Sequence, residues 1–227
     1  MWHGKKKALT FSYDDGVQTD KRLIDILDRY GMKGTFNVSS ALLDGQKGWN
    51  EWQRGIRVTY IDAAEAPQVY ANHEIAVHSA HHFDLTKLSP DELETEIAGD
   101  RAALEALFGR DVVGMAYPYG TYNEDVISAC ERAGIGYSRT VEDTAAFTLP
   151  EKPLRWGHTC HHNDAQLFTL AEAFLNADPD EPMLFTVWGH SYEFDVNENW
   201  SRIEDFCRLM AHRDDIAYVT NREALGL

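Results

Sequence analysis

Short apolar runs alternate with longer amphipathic stretches from one end of the chain to the other. The runs at residues 8–13, 34–38, 74–77, 112–117, 136–141, 183–188 and 216–219 have the length and content of buried strands. Between them, residues 22–30, 124–133, 165–176 and 201–212 repeat apolar side chains at helical spacing. The most explicit helix starts at Ser89. Ser89-Pro90-Asp91-Glu92 supplies an N-cap, a proline at the first helical position and a glutamate at the third, a reciprocal cap for otherwise free amides. Leu93, Ile97, Leu104 and Phe108 mark its buried stripe, and Gly109 supplies the left-handed stop.

No Pro/Gly/Ser-rich linker and no internal repeat interrupts this alternation, so residues 1–227 read as one α/β domain built from βα units. Seven strand candidates with intervening helices predict a barrel more than an open sheet. Segment 39–73 breaks the pattern, and Trp49, Trp52 and Pro67 place loops there, over the barrel.

Charge narrows the function classes. Lysine and arginine number 21 against 37 aspartates and glutamates, a formal charge of -16. Nucleic-acid binding rewards clustered cations, and the basic run Lys5-Lys6-Lys7 reads as solvation of the entry to the first strand, so no nucleic-acid partner is expected. Cys130, Cys160 and Cys207 are odd in number and widely spaced, which argues against a disulfide framework. Ala8-Leu9-Thr10-Phe11 runs at once into Ser12-Tyr13-Asp14-Asp15, so neither a signal-peptide core nor a membrane span is read anywhere. The expectation is a cytoplasmic protein. A chain used almost entirely by one barrel also favours a small or soluble substrate over an insoluble polymer.

In α/β barrels the reactive groups gather just past the carboxyl ends of the strands. The residues at those positions here are polar: Asp14-Asp15-Gly16, then His78-Ser79-Ala80-His81-His82, then Pro118-Tyr119-Gly120, then Gly189-His190. Asp-Asp-Gly by itself is an ordinary turn. The histidine spacing also occurs twice, because His158-Thr159-Cys160-His161-His162 repeats it, and either cluster could bind a metal. Position separates them: His78 closes the apolar run Ile75-Ala76-Val77, whereas the second cluster comes after the weaker strand signal Leu154-Arg155-Trp156-Gly157. One carboxylate with His78 and His82 is a three-ligand set that leaves a divalent cation open to water. The other carboxylate is then free to take a proton from that water as it attacks a carbonyl. The Pro118-Tyr119-Gly120 turn can offer an amide to the oxyanion, and His190 can protonate the leaving group.

These stretches resemble the polysaccharide deacetylases of the NodB-homology type, carbohydrate esterase family four. Thr10-Phe11-Ser12-Tyr13-Asp14-Asp15-Gly16 is similar to the first motif and His78-Ser79-Ala80-His81-His82 to the H-[ST]-x-x-H motif. Tyr117-Pro118-Tyr119-Gly120 is similar to the third and Trp188-Gly189-His190 to the late histidine motif, in matching order over residues 5–220. The resemblance implies a distorted (β/α)7 barrel that removes acetyl groups from N-acetylated sugars or acetylated xylan. It implies one divalent metal ion, zinc first, with cobalt, nickel, manganese or iron also accepted by such a site. Carried over, it makes Asp14 the base, Asp15, His78 and His82 the metal ligands, the main-chain amide of Tyr119 an oxyanion donor and His190 the general acid. Ser79 takes a structural role in its turn, and His81 stands outside the pattern in a supporting or surface role.

The sequence also departs from the family. Where the third motif often has an arginine two residues ahead of the proline, holding the base, this chain has Ala116. Arg155 is the first candidate to replace that charge and Arg139 the second. Pro118, Trp156, Trp188 and Arg155 are the expected substrate contacts, with the two tryptophans as a stacking floor for a sugar. Trp200, Tyr60 and Phe206 read as core, and Tyr192, Glu193 and Asp195 as a pocket rim or a solvated loop. The fourth motif is not recognisable, and residues 155–164 stand in for it along the pocket. A glycosidase using Asp14 and Asp15 is disfavoured, because adjacent strand-end carboxylates point in different directions. The alternative is a non-hydrolytic carbohydrate-binding or regulatory domain: Ala116 speaks for it, and the retained Asp14 and His190 speak against it. Oligomeric state stays open.

Overall fold

The computed structural model describes residues 2–51 and 54–227, so the loop expectation at Trp52 lies outside the described residues. The chain begins with β1 (Lys7–Asp14), α1 (Asp20–Arg29), β2 (Gly34–Val38), a hairpin of β3 (Gly48–Asn50) and β4 (Arg57–Thr59), α2 (Ala66–Val69) and β5 (Glu74–Val77). It continues with α3 (Pro90–Glu94), a π-helical turn (Thr95–Gly99), α4 (Asp100–Phe108), β6 (Gly114–Ala116), α5 (Glu124–Arg132) and β7 (Tyr137–Asp143). Last come β8 (Trp156–His158), β9 (Cys160–His161), α6 (Leu167–Asn176), β10 (Met183–Gly189), α7 (Glu193–Val196), α8 (Trp200–Met210), β11 (Ile216–Tyr218) and α9 (Asn221–Leu225).

Parallel neighbours run β8-β7-β6-β5-β2-β1-β10-β9. The two ends of that path are adjacent in the chain. Trp156 pairs with Arg139 of β7, and Cys160 pairs with Val187 of β10, so residues 156–161 form one kinked stave that closes the sheet on itself. At the kink, Thr159 N–H donates to the Thr186 carbonyl (3.1 Å) and the Thr159 carbonyl accepts from Ala145 N–H (3.0 Å). Eight paired strands thus make seven staves, a (β/α)7 barrel of parallel strands.

The seventh stave is not the one expected. β11, at the expected last strand, pairs only with the lower half of β1, from Lys7↔Ile216 to Leu9↔Tyr218, while the upper half, Phe11 to Asp14, pairs with β2. The closing stave is illegible in the sequence because Trp156-Gly157-His158-Thr159-Cys160-His161 lacks the apolar run on which a strand assignment depends. By contrast, all eight residues of β1 are buried, as a central strand covered on both faces must be. Phe11, Phe185 and Phe206 pack edge to face beside it, with centroids 6.0 and 5.6 Å apart.

Two further expectations change physically. Lys7 is not solvated: it is 4% exposed, its ammonium donates to the carbonyls of Phe174, Leu175 and Ala177 at the end of α6 (2.9–3.2 Å), and it pairs with Asp215 (2.7 Å). A cation thus satisfies the free carbonyls of a helix C-terminus. The helix that starts at Ser89 has its reciprocal cap, with Ser89 N–H donating to Glu92 (2.7 Å), and its left-handed Gly109, yet a π turn widens it in the middle. That turn carries Glu96 (4% exposed), with fully buried Asp100 just beyond it, and both reach the loop after β5.

Candidate active site and metal centre

β1 ends at Asp14, and the next residue, Asp15, turns away with φ of 80°. The two carboxylates therefore diverge into different surroundings. Asp14 is buried; Oδ1 accepts from Asn37 Nδ2 on β2 (2.9 Å) and is ion-paired with the Arg139 guanidinium from β7. Arg139 is itself fully buried, donates to the Thr140 carbonyl (3.2 Å) and lies 5.0 Å from the centre of the Trp188 ring. Burial alone would raise the Asp14 carboxyl, but Arg139, followed by His78 and His190, holds it well below the usual carboxylate range.

This corrects the ranking of the two arginines. Arg155 reaches outward to Glu124 on α5 (2.5 Å) with its side chain 37% exposed, so it neither holds the base nor lines the site. Arg139 does hold it, from the neighbouring stave rather than from the third motif. At Ala116 the side chain is replaced by another service: its carbonyl accepts from His78 Nδ1 (2.8 Å). That bond places the proton on Nδ1 and leaves Nε2 as a donor atom for a cation. Burial also lowers the His78 pKa to about 4, which keeps the ring neutral.

Asp15 Oδ1 lies 3.7 Å from His78 Nε2 and 3.5 Å from His82 Nε2, and the three ligand atoms fall within 4.8 Å of one another. One anionic oxygen and two imidazole nitrogens at this spacing fit a divalent cation with an open coordination position. The loop that returns His82 to His78 needs left-handed backbone at Ser79 (φ 61°) and His82 (φ 57°), conformations that cost non-glycine residues about 1–3 kcal/mol each. Glu96 secures it: its carboxylate accepts from Ser79 Oγ (2.6 Å) and His81 N–H (2.9 Å) and contacts His81 Nδ1 at 2.7 Å. His81 is thereby turned outward. Asp100 accepts from the amides of Ser40 (2.8 Å) and His78 (3.3 Å), and burial raises its carboxyl to about 6. Neither Glu96 nor Asp100 is an expected part of the site; a carboxylate on the buried side of an amphipathic helix is the one signal that could have found them.

A cavity of about 400 Å³ opens above these groups. Tyr117, Tyr119 and Val141 line one side, Trp188, His190 and Tyr192 another, and Trp49 and Tyr60 a third. Tyr119 has φ of 59°, in a turn whose flanking amides are committed, Tyr117 N–H to the Arg139 carbonyl (3.0 Å) and Gly120 N–H to the Tyr117 carbonyl (2.9 Å). Gly120 is required there, because a Cβ would meet Val141 at 2.4 Å. Trp188 is fixed by its indole N–H, which donates to Asp143 (2.7 Å). Two expected contacts are corrected: Trp156 is buried in a separate cluster against Tyr137, and Pro118 is buried beneath the turn, so neither borders the cavity. Tyr60 moves the other way, from expected core to cavity wall, whereas Trp200 and Phe206 are core.

His190 Nε2 lies 3.8 Å from Asp14 Oδ2, and its Nδ1 lies 3.5 Å from Glu193 Oε1. The other Glu193 oxygen is 3.0 Å from His161 Nε2 and 3.1 Å from His162 Nε2. Burial would raise Glu193, but the three imidazoles hold it well below the carboxylate range. Burial would likewise depress His190, yet Glu193, Asp15 and Asp14 raise it to about 9. Gly189 makes this packing possible, since a Cβ there would meet the His162 ring at 2.1 Å. Glu193 is thus a partner of the site, not a solvated loop residue, and Asp195 instead accepts from the Trp200 indole (2.7 Å).

The comparisons with known proteins agree with this architecture. The family model described as Polysaccharide deacetylase matches residues 3–138, more than half of the chain. The chain belongs to the polysaccharide deacetylase family. It is 25% identical over 144 residues to "Putative polysaccharide deacetylase YxkH" of Bacillus subtilis (strain 168), a match that covers 62% of this chain and 47% of that relative's length. A solved Mycobacterium smegmatis protein of the same description shares 17% identity over 98% of this chain and 90% of its own, with a TM-score of 0.67. A family 4 carbohydrate esterase from Streptomyces lividans in complex with acetate shares 16% identity over 90% and 88% of the two chains, TM-score 0.53. A CE4 family pseudoenzyme from Bacillus anthracis shares 15% over 97% and 66%, TM-score 0.55. These likenesses establish the (β/α)7 fold. Among the described residues no helix is long and apolar enough to cross a membrane.

Proposed function

We propose that the chain is a metal-dependent hydrolase that removes an acetyl group from an N- or O-acetylated carbohydrate. The observation that carries this reading is the divergence of Asp14 and Asp15: one carboxylate is locked on Arg139, and its neighbour completes a triad with His78 and His82. Asp15, His78 and His82 would hold the cation, zinc by the chemistry of the donor set, which when bound polarises the acetyl carbonyl and acidifies water.

Asp14, ionised far below neutral pH, accepts the proton of the attacking water. The Tyr119 amide donates to the oxyanion as it forms. His190, protonated at neutral pH, delivers its proton to the departing nitrogen or oxygen of the sugar. Glu193, 3.5 Å from Nδ1, sustains the charge of that ring. Trp188, held by Asp143, offers an aromatic face to the sugar. Cys130, Cys160 and Cys207 are buried free thiols, which supports a reducing, cytoplasmic setting, and the acidic chain favours no nucleic-acid partner.

The second reading is a binding domain without turnover. The ion pair between Asp14 and Arg139 argues against it, because a binder has no use for a buried, charge-matched base. Acetate release from N-acetylglucosamine oligomers, acetylated xylan and small acetylated glycosides, measured beside metal content, separates the two. Asp14→Asn and His190→Ala are expected to lower release about 10³-fold each with metal retained. A protein that binds these sugars and releases no acetate from any of them is the binding domain.

A further inference from the structure

The cavity is not an open trough. The β3–β4 hairpin follows β2 in the chain and contacts both the segment after β1 and the segment after β10. Trp49 on that hairpin packs on Tyr60 (centroids 5.6 Å) and edge to face on Tyr192 (5.3 Å). Arg54 near its tip reaches Glu198 at 3.3 Å, beyond the same loop. Its base is pinned by backbone bonds to the segment after β1: Gln18 N–H to the Thr59 carbonyl and Ile61 N–H to the Gly16 carbonyl, both 2.8 Å. Tyr60, Trp49 and Tyr192 therefore form a continuous aromatic wall on the β2, β1 and β10 side of the metal triad.

The opposite side is open to solvent: among the described lining residues the two well-exposed ones, Tyr119 (64%) in the loop after β6 and Val141 (44%) on β7, both stand there. A polymer threaded across the site needs room for a sugar on each side of the one being processed. Here the aromatic wall takes up one of those sides, and the exposed lining residues mark the other.

Resting on the deacetylase reading above, we propose that the substrate is a terminal acetylated sugar unit. Its ring stands against the aromatic wall, and whatever it is attached to leaves over Tyr119 and Val141. Free glycosides of one acetylated sugar and the ends of oligosaccharides share this chemistry. Internal units of a chain do not enter. The aromatic rings of the wall give the CH faces of a pyranose a stacking surface where a glycosidic neighbour would otherwise lie.

The test uses the full-length, metal-loaded protein with tetra-N-acetylchitotetraose and with acetylated xylotetraose, the position of each removed acetyl being read by fragment mass spectrometry. A one-unit N-acetylglucosamine glycoside and an acetylated methyl xyloside serve as the free-sugar arm. Acetate is expected from one end unit at least tenfold faster than from internal units, and from the one-unit glycosides at comparable rates. Trp49→Ala, and separately Arg54→Glu to release the hairpin from Glu198, are expected to raise the internal-to-terminal ratio at least tenfold with bound metal unchanged. Internal and terminal units deacetylated within twofold of each other overturn the proposal while leaving the deacetylase reading intact. A terminal preference that neither variant changes overturns the role of the wall. Failure to release acetate from any probe overturns the deacetylase reading and this proposal with it.

Discussion

Residues 78–82 and 158–162 carry the same spacing of three histidines, and the fold gives them different surroundings. In the first, the chain leaves β5 and turns through left-handed Ser79 and His82, which brings the rings of His78 and His82 to 4.8 Å and both toward Asp15. In the second, the histidines lie along the kinked closing stave and just past it. There His158 is buried against the face of Trp188 (centroids 5.8 Å), and His162 is sandwiched between Tyr13 (5.6 Å) and Phe194 (4.1 Å). The carboxylate shared by His161 and His162 is Glu193, which already faces His190. Spacing alone is therefore silent about chemistry. In both clusters two rings converge on one carboxylate oxygen, so the difference lies in where that carboxylate sits: Asp15 lines the cavity, whereas Glu193 lies behind it, set against His190.

The sharpest way to break this comparison is to remove each cluster in turn. Asp15→Ala or His78→Ala is expected to cut bound metal at least tenfold and abolish acetate release, whereas His161→Ala and His162→Ala keep one metal per chain by elemental analysis. Metal lost from the second pair of variants would erase the distinction. A smaller effect is expected from the charge behind the base. Arg139→Gln should lower kcat by about 10²-fold through a displaced Asp14, while Arg155→Gln stays within about twofold of the parent.

Glu193→Gln probes the proton-handling side. His190 is raised above its ordinary value of 6.5 to about 9, so its protonated form persists as pH rises from neutral and is lost only through that value. Without the Glu193 charge, the alkaline limb of the pH–rate profile is expected to move to lower pH, with kcat down about tenfold at neutral pH. An unmoved limb would detach Glu193 from the acid. The mildest expected change is Glu96→Gln, which weakens the bonds that hold the β5 loop: unfolding stability should fall by about 1–2 kcal/mol and metal affinity by about tenfold. Chemical denaturation and metal titration read these two separately.

The sequence discloses the parts of the site that sit on strongly apolar strands. Asp14, Asp15, His78 and His190 come after runs such as Ala8-Leu9-Thr10-Phe11 and Ile75-Ala76-Val77, whose burial makes both the strand and its polar terminus visible. Legibility fails where function depends on residues distant in sequence. Arg139 and Asp14 are 125 positions apart, and Arg139 ranks second to Arg155 in the sequence because nothing local in Ser138-Arg139-Thr140 announces that a strand arginine points into the barrel. Trp156 misleads for a related reason: a tryptophan beside a polar cluster looks like a sugar platform, but Trp156 shares the face of His158 one step back along β8 and is buried against Tyr137, away from the cavity. Glu96 falls on the buried side of its helix, beside Leu93 and Ile97, but nothing in the sequence says that this buried carboxylate meets the β5 loop.

The kinked stave that closes the barrel has a consequence in time rather than in space. β9 contributes two residues and β8 three, with an irregular register against β7, whereas β1 is paired along its whole length. The seam is therefore the place where amide hydrogens of the barrel wall should exchange earliest and the wall should open at least cost. It carries His161 and leads directly into His162, while the metal triad hangs from β1 and β5 across the barrel. Slow opening of the barrel is therefore expected to reach His161 and His162, the two rings set on Glu193, before it disturbs Asp15, His78 and His82.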